Sequence, residues 1–580
     1  MESLKIIPLG GLGEFGLNMM LVEYGDAAIA VDCGVMFPTA DLLGIDLVIP
    51  DVSYLLERRD KLKGIVLTHA HEDHVGALPY ILEHFDVPIF GTRLTLGLLA
   101  RKLAEHELDD TADVREITAG APWDIAPFRI EGIRVTHSLM DCLALAIETP
   151  VGTVIHTGDF KIDNTPMEGE MFDFQTLAAY GEKGVLLLLS DSTNVERPGY
   201  TPSEREVGSN LEQIMQHGTG KVLVSTFASS IPRIQQVIDI AERCNRRIVL
   251  SGRSMIQNCQ VAAELGYLHL PRNFLTESER WHDLPADQLA FLTTGSQGEP
   301  LSVLHRIALD DHKTIKLEAG DTVILSSKFI PGNEKTISNM INHLYRRGAD
   351  VHYETVSEIH VSGHASQEEL KTMLQLTRPR YFVPIHGEYR HLVRHRRLAQ
   401  EVGISPSNCF ILEDGDVLEI GAHSAQKTSP VQVGKVFVDG RSVGDVGDVV
   451  IRDRRHLSED GMVLVVMAIH QQSGELIAGP DLISRGFMGA EESEEVLENA
   501  KKVVLETLAA SNRETRTDPA ELKEEVRKSL RRFFRKKLER HPVVLPYIME
   551  TCGDPPCPVL RKKTAFSAKF GAWSFALLLC

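Results

Sequence analysis

The sequence predicts an α/β protein of several domains, and three features of its patterning lead there. Up to about Thr201, short β-rich runs alternate with turn residues. From Thr201 on, apolar strands alternate with long helical patterns, the signature of a parallel α/β unit. Near Tyr353 the pattern of the first segment resumes, with apolar runs that end in histidine.

In chain order, the first strands read as "LKIIPLGGLG", "NMMLVEYGDAAIAVDCG", "KGIVLTH", "FRIEGIRVTHS", "LALAIETPVGTVIHTGD" and "GVLLLLSDST". The second of these divides into two strands at Gly25-Asp26, and Val75, Leu78, Ile81 and Leu82 predict a helix beginning near Val75. In the second segment "KVLVSTF", "RIVLSG" and "DTVILSS" alternate with "VGSNLEQIMQHG", "RIQQVIDIAERC" and "TISNMINHLYRRG". "EIHVSGHAS" and "YFVPIHGE" then return to the first domain. Val431 to Val450 is glycine-rich and reads as a linker or small β element. "MVLVVMAIHQQSGELIAGPDLISRGF" predicts a hairpin, followed by two charged helices and the strand "VVLPYIME". Residues 551–580 match nothing before them and read as an extension foreign to the rest, ahead of a partner-binding or membrane-touching tail.

Bulk properties narrow the class. A chain of 580 residues is long enough for three or four domains, and 43% apolar with 24% charged residues is ordinary for a soluble globular protein. A net charge of −20 excludes a generally basic nucleic-acid binder but leaves room for a local groove. The eight cysteines include no CxxC pair, which argues against a disulfide framework or a thiolate zinc site and for a reducing compartment. "MESLKIIPLGG" has no signal-peptide pattern, and no run reaches the roughly 18 apolar residues of a membrane span. The expectation is a cytoplasmic protein with no membrane segment.

Gly11-Leu12-Gly13-Glu14-Phe15-Gly16 spells G-x-G-x-x-G, yet a dinucleotide site needs a helix opening at the third glycine. Two strands follow instead, so the glycines are read as turns beside a site.

That site opens with "THAHEDHVG". His69 and His71 share a face only if the segment is extended, and Asp73 and His74 sit where the next helix starts. The spacing of His71 and His74 excludes the H-E-x-x-H pattern. Imidazoles with a carboxylate suit zinc. Three more candidates end apolar runs: His137 in "IRVTHS", Asp159 in "VIHTGD" and His386 in "FVPIHGE". Together the seven residues suffice for two metals with one bridging carboxylate.

These residues in this order resemble the metallo-β-lactamase fold, and with the inserted α/β segment they resemble its β-CASP nuclease branch. "SDSTNVERPGYTPSE", "TTGSQGEP", "HVSGHAS" and "PIHGE" are similar to segments of the ribonuclease J family, and the likeness runs from about Leu4 to Glu550. The resemblance implies an αββα sandwich (1–195 and 353–430) interrupted by a β-CASP domain (196–352). A linker (431–450) and a small α+β oligomerisation domain (451–550) would follow. It implies one zinc on His69, His71 and His137, another on Asp73, His74 and His386, and Asp159 between them, with Mn2+ or Mg2+ in support. Asp32 in "VDCG" would orient the site. Asp191 and His364 would pair, with His364 near the scissile phosphate, where a carboxylate can stabilise a proton-donating imidazolium. Asp73, Asp191 and His364 are thus the implied catalytic residues.

The implied activity is endonucleolytic and 5′→3′ exonucleolytic cleavage of single-stranded RNA, preferring a 5′-monophosphate, in mRNA turnover and rRNA processing. Products would carry 5′-phosphate and 3′-hydroxyl ends. A homodimer or homotetramer, or a place in an RNA-decay complex, would go with it. Ser362, Gly363, His364, Ala365 and Ser366 form a candidate phosphate nest, and Arg233 a candidate phosphate contact. The chain departs from the family in "TFASSIPRIQQ", where Ser230 and Pro232 replace asparagine and, often, histidine. The basic helix "RKSLRRFFRKKLER" offers an RNA track or merely a solvated face. Two other readings stand beside the nuclease. One is a related hydrolase of esters, thioesters, lactones or β-lactams; the other is a scaffold with structural zinc.

Overall fold

The computed structural model describes residues 2–551 apart from 40, 168–170, 277–278, 300, 330–332, 355, 356, 358 and 441, so nearly all of the tail at 551–580 lies outside the described residues. It contains two compact units. One comprises 1–40 and 44–445, the other 41–43 and 446–580.

The larger unit is built on a sandwich of two sheets. The eight-stranded sheet runs Ala425–Thr428, Val417–Ile420, Leu4–Gly10, Met19–Tyr24, Ala27–Val31, Leu62–Val66, Ile89–Gly91 and Val114–Glu116. The six-stranded sheet runs Tyr381–Ile385, Val185–Asp191, Gly152–His156, Leu143–Thr149, Phe128–Arg134 and Trp123–Ile125. Ile6, Val22 and Ile29 of the first sheet pack against Ile130, Leu145 and Leu187 of the second. The opposite residues of the second sheet, such as Ala144, Ala146 and Leu188, face helices Phe174–Lys183 and Gln367–Thr377. Burial on both faces explains runs such as "LALAI" and "VLLLL", which show no polar alternation. The two strands expected around Gly25-Asp26 are Met19–Tyr24 and Ala27–Val31.

A third sheet inserts between Asp191 and Tyr381. Its six strands, from Val222–Ser225 to Asp350–His352, are all parallel and are covered by helices such as Ile231–Arg243 and Glu334–Arg346. Its strand order mixes early and late strands, as crossover helices require.

Two sequence expectations need correction. The helix expected near Val75 begins at Glu72 and is two short helices, Glu72–Val75 and Leu78–Leu82, so Asp73 and His74 are helical residues. Of the two readings of residues 431–450, the small β element holds and the linker does not. Lys435–Asp439 pairs antiparallel with Leu47–Pro50, and Val438 is buried in the core of the larger unit. A helix that periodicity did not reveal, Asp448–Asp460, opens the smaller unit; its one buried residue, Ile451, leaves no apolar stripe to read. The expected hairpin, helices and strand follow as Met462–His470, Leu476–Arg485, Ala490–Ala510, Pro519–Leu538 and Val543–Thr551.

An ionic network joins the sandwich to the inserted sheet. Lys161 Nζ lies 3.5 Å from both Asp163 and Glu204, and Glu204 pairs with Arg233 on helix Ile231–Arg243. Arg233 also donates to Ser326 and, at 2.8 Å, to the Ile359 carbonyl. Arg233 is 2% exposed and both terminal nitrogens of its guanidinium are engaged by these partners, so it is a structural residue and not the phosphate contact expected from sequence. Burial works against the Glu204 carboxylate, but Arg233 and Lys161 outweigh it and hold its pKa down, from 4.5 to about 2. A depressed folded-state pKa contributes stability that is complete above the unfolded value and is lost as pH falls from about 4.5 toward 2. Glu204→Gln is therefore expected to flatten the acid limb of urea stability below that pH. Arg233→Met is expected to cost about 3–5 kcal/mol at neutral pH, because it leaves the buried Glu204 carboxylate with Lys161, 3.5 Å away, as its remaining cation.

Candidate metal centre

The seven predicted ligands meet at the strand ends of the two sandwich sheets. His69 follows strand Leu62–Val66 in an extended stretch, His71 precedes helix Glu72–Val75, and Asp73 and His74 lie on its first turn. This turn is strapped to the end of the neighbouring strand: Cys33 N donates to His74 O (2.7 Å) and Val35 N to Glu72 O (3.0 Å). Gly34 lies so close that a Cβ there would sit 1.6 Å from the Asp73 carbonyl oxygen, so no other residue fits. His137 and Asp159 follow strands Phe128–Arg134 and Gly152–His156, and His386 follows Tyr381–Ile385.

Three groups share Asp159. His69, His71 and His137 form one with its carboxylate, Asp73, His74 and His386 a second, and Asp191, His364 and His386 a third, with the ligand atoms of each group within 4.8 Å of one another. Asp159 Oδ2 lies 3.7 Å from His69 Nε2, 3.8 Å from His137 Nε2 and 3.3 Å from His74 Nε2, and Oδ1 lies 3.5 Å from His386 Nε2.

The ring protons can be assigned from partners that only accept. His137 Nδ1 donates to the Gly363 carbonyl (2.7 Å) and His74 Nδ1 to Asp32 Oδ2 (2.8 Å). Thr68 Oγ1 gives its proton to Asp32 Oδ2, so it must accept from His69 Nδ1. Thr193 Oγ1 likewise donates to Asp191 Oδ1 and accepts from His386 Nδ1 (2.7 Å). Four rings therefore turn an Nε2 lone pair inward, where His71 Nδ1 also points, 2.9 Å from His69 Nε2 and 3.2 Å from His137 Nε2.

Metal ions fit this arrangement. Asp159 Oδ1 and His386 Nε2 are buried and have no hydrogen-bond partner, and lone pairs that face one another want a cation rather than another acceptor. Burial pushes His69 and His137 well below the ordinary histidine pKa, which keeps them neutral and ready to ligate. Burial opposes ionisation of Asp159, but positive charge on His386 and His74 outweighs it and holds the carboxyl well below its usual range. Without a metal, the surrounding carboxylates overcome burial and pull both rings toward the imidazolium, His386 up to about 9. A bound cation would take over that charge and leave both Nε2 atoms free to ligate.

The remaining predicted residues are placed as follows. Asp32 is buried at φ 61° and accepts from Thr68 N, Thr68 Oγ1 and His74 Nδ1, so it orients the His69–His74 pair. Asp191 Oδ2 accepts from His364 Nδ1 (2.8 Å), and this nitrogen is 4.0 Å from Asp159 Oδ2. The glycine loop does stand beside the site: Leu12–Gly13 pairs with Gly387–Glu388, next to His386 at φ 55°. The nest from Ser362 to Ser366 is less open than its sequence suggests. His364 N contacts Ser362 Oγ, Ser366 N donates to Glu369, and the Gly363 carbonyl holds His137.

Sequence reasoning missed Thr68, Thr193, Asn194, Thr201 and Glu369. Asn194 Nδ2 and Thr201 Oγ1 both donate to the His364 carbonyl, at 2.9 and 2.8 Å. Isolated threonines and asparagines carry no sequence signal, but Glu369 does: Ser366-Gln367-Glu368-Glu369 spells an S-x-x-E capping box.

A two-sheet sandwich with this histidine–aspartate cluster at its strand ends defines a metallo-hydrolase of the metallo-β-lactamase class. In agreement, residues 12–191 match the metallo-beta-lactamase superfamily and 348–412 the Zn-dependent metallo-hydrolase RNA specificity domain. Residues 219–344 match the ribonuclease J beta-CASP domain and 449–551 the ribonuclease J C-terminal domain. Ribonuclease J of Thermus thermophilus is 42% identical over 561 residues, covering 95% of this chain and 96% of its own length. Ribonuclease J2 of Bacillus subtilis is 39% identical, covering 95% and 99%. Ribonuclease J of Helicobacter pylori is 40% identical, covering 94% and 79%. The chain belongs to the ribonuclease J family and is a ribonuclease.

Asp32→Asn should weaken metal binding about 10–100-fold, because it loosens His74 and Thr68 without removing a ligand. A competition titration against a chelator measures this. Gly34→Ala should leave the protein unable to retain metal at all, as elemental analysis after gel filtration would report.

Proposed function

We propose that the chain is a zinc-dependent ribonuclease acting on single-stranded RNA, both endonucleolytically and 5′→3′ from a 5′-monophosphate end. Its place would be RNA maturation and decay in the cytoplasm, including mRNA turnover and rRNA processing. The observation that carries this reading is the Asp191–His364 pair beside Asp159, an acid–base couple at the edge of the metal cluster. In this reading one zinc is held by His69, His71 and His137, the other by Asp73, His74 and His386, and Asp159 is shared. Mn2+ or Mg2+ would serve in support.

When bound, two such ions lower the pKa of a water and neutralise charge on the phosphate. The protein's own groups handle the protons. Asp73, kept ionised against burial by His74 and His386 and with its side chain 36% exposed, would hold its ion at the solvent-facing edge of the cluster, where the proton released by the attacking water can pass to solvent. Asp191 accepts from His364 Nδ1–H and fixes the ring, which leaves Nε2 to deliver a proton to the 3′-oxygen as the P–O3′ bond breaks. The products are a 5′-phosphate and a 3′-hydroxyl. A hydrolase of small esters or thioesters would have no use for this couple, and a structural zinc site would be closed rather than shared between two groups.

We assign 1–195 and 353–430 to the catalytic sandwich, 196–352 to the β-CASP domain, and 451–550 to assembly of a homodimer or homotetramer. A place in an RNA-decay complex is part of the same proposal. With Ser366 N and His364 N engaged, the 5′-phosphate pocket narrows to the backbone amides of Ser362, Gly363 and Ala365 with the His364 side chain. Helix Pro519–Leu538 supplies an RNA contact: Lys528, Arg531, Arg532, Arg535 and Lys536 are exposed opposite the buried Leu522, Val526, Leu530 and Phe534. Like charges at i and i+4, such as Arg531 with Arg535, oppose helix stability, and a polyanion would relieve them.

A time course on 5′-monophosphorylated and 5′-triphosphorylated RNA tests the reading, with His71→Ala as control. Mononucleotides are expected mainly from the monophosphorylated RNA and none from the variant; no cleavage of either RNA with zinc present would overturn the proposal. Reversing Arg531, Arg532 and Arg535 to glutamate should raise KM for long RNA about tenfold and flatten its salt dependence. The kcat should not change.

A further inference from the structure

The geometry assigns Glu369 as a positioning residue for His364, because its buried carboxylate ties the Asp159 loop, the entry to the inserted domain and the His364 loop to one point. Glu369 is 0% exposed. Its Oε2 accepts from Ser366 N (2.8 Å), the bond that a capping box requires for helix Gln367–Thr377. A cap needs nothing more, yet this carboxylate takes two further amides from other segments. Oε1 accepts from Ile162 N (2.7 Å), three residues after Asp159, and Oε2 also accepts from Thr201 N (2.7 Å).

These three amides belong to the segments that fix the reacting pair. Thr201, held by its amide, donates its hydroxyl to the His364 carbonyl (2.8 Å) and contacts Ser366 Oγ (2.9 Å). Ser366 stands two residues after His364. The backbone of His364 is thus set by Glu369 from both sides, and its distance from Asp159 is set through Ile162. Among the described residues the carboxylate has no cationic partner. Amide donors and the N-terminal end of the helix stabilise its charge. Charged hydrogen bonds to three chain segments give a stiffer junction than apolar packing, which tolerates sliding.

This inference rests on His364 as the proton donor to the leaving 3′-oxygen, and the test separates the two ideas. Glu369→Gln keeps the shape but replaces one acceptor oxygen by an NH2 group facing an amide donor. Thr201→Val keeps the amide bond to Glu369 and removes the hydroxyl's bonds to the His364 carbonyl and Ser366 Oγ, and serves where Glu369→Gln lowers folding yield. Each is assayed with His364→Ala on an RNA carrying an ordinary linkage and on one with a 3′-bridging sulfur, whose thiolate leaves without protonation. Zinc content is measured alongside.

Both positioning variants should lose about 10–100-fold in kcat on the ordinary linkage, with KM and zinc content unchanged. The loss should shrink to a few-fold on the sulfur linkage, in parallel with His364→Ala. A loss that stays equal on both linkages while that of His364→Ala shrinks would overturn the role of Glu369. If the loss of His364→Ala does not shrink either, the leaving-group role of His364 falls, and the assignment of Glu369 falls with it.

Discussion

The Asp159 carboxylate is the constraint on which the rest of this structure depends. It is a buried charge shared by every ligand group of the cluster, and it follows a strand of the six-stranded sheet while His69, His71, Asp73 and His74 follow a strand of the other. Such a charge is costly unless cations or donors surround it. The sheets must therefore pack so that their strand ends meet, which the apolar layer between them enforces. The metal cluster and the hydrophobic core are two ends of the same packing.

Ligand geometry is held from outside the cluster. Asp32, Thr68, Thr193 and the Gly363 carbonyl each take a ring proton, or pass one on, and so leave the inward nitrogens free to bind. Asp191 reaches both functions at once. One oxygen accepts from His364 and the other holds the Thr193 hydroxyl that fixes His386. A change at Asp191 would therefore disturb both the metal-binding edge and the proton donor.

The inserted parallel sheet explains why His364 and His386 stand so far along the chain from Asp191. The chain leaves the sandwich after strand Val185–Asp191 and returns as strand Tyr381–Ile385, which pairs directly with it. The insertion thus adds a domain without opening the sheet. The price is a long-range junction, closed by the Lys161–Glu204–Arg233 network and by the Glu369 carboxylate.

Strands and ligands were legible in the sequence for physical reasons. Burial on both faces leaves uninterrupted apolar runs, and metal chemistry demands histidine and aspartate where those runs end; His69, His137, Asp159 and His386 all stand out this way. What stayed hidden depends on distance along the chain. Arg233 looks like a phosphate contact until Glu204 and Ile359 are seen around it, and residues 431–450 read equally as linker or β element until Leu47–Pro50 is found to pair with them. The sequence by itself determined the fold class and the ligand types it offers, because periodicity and donor chemistry are local properties. The family was legible only through the resemblance of segments such as "HVSGHAS" and "PIHGE". Only the tertiary structure decided which nitrogen each histidine presents, which cation is buried, and that Glu369 joins three segments, because a hydrogen bond is made between partners that the chain order does not bring together.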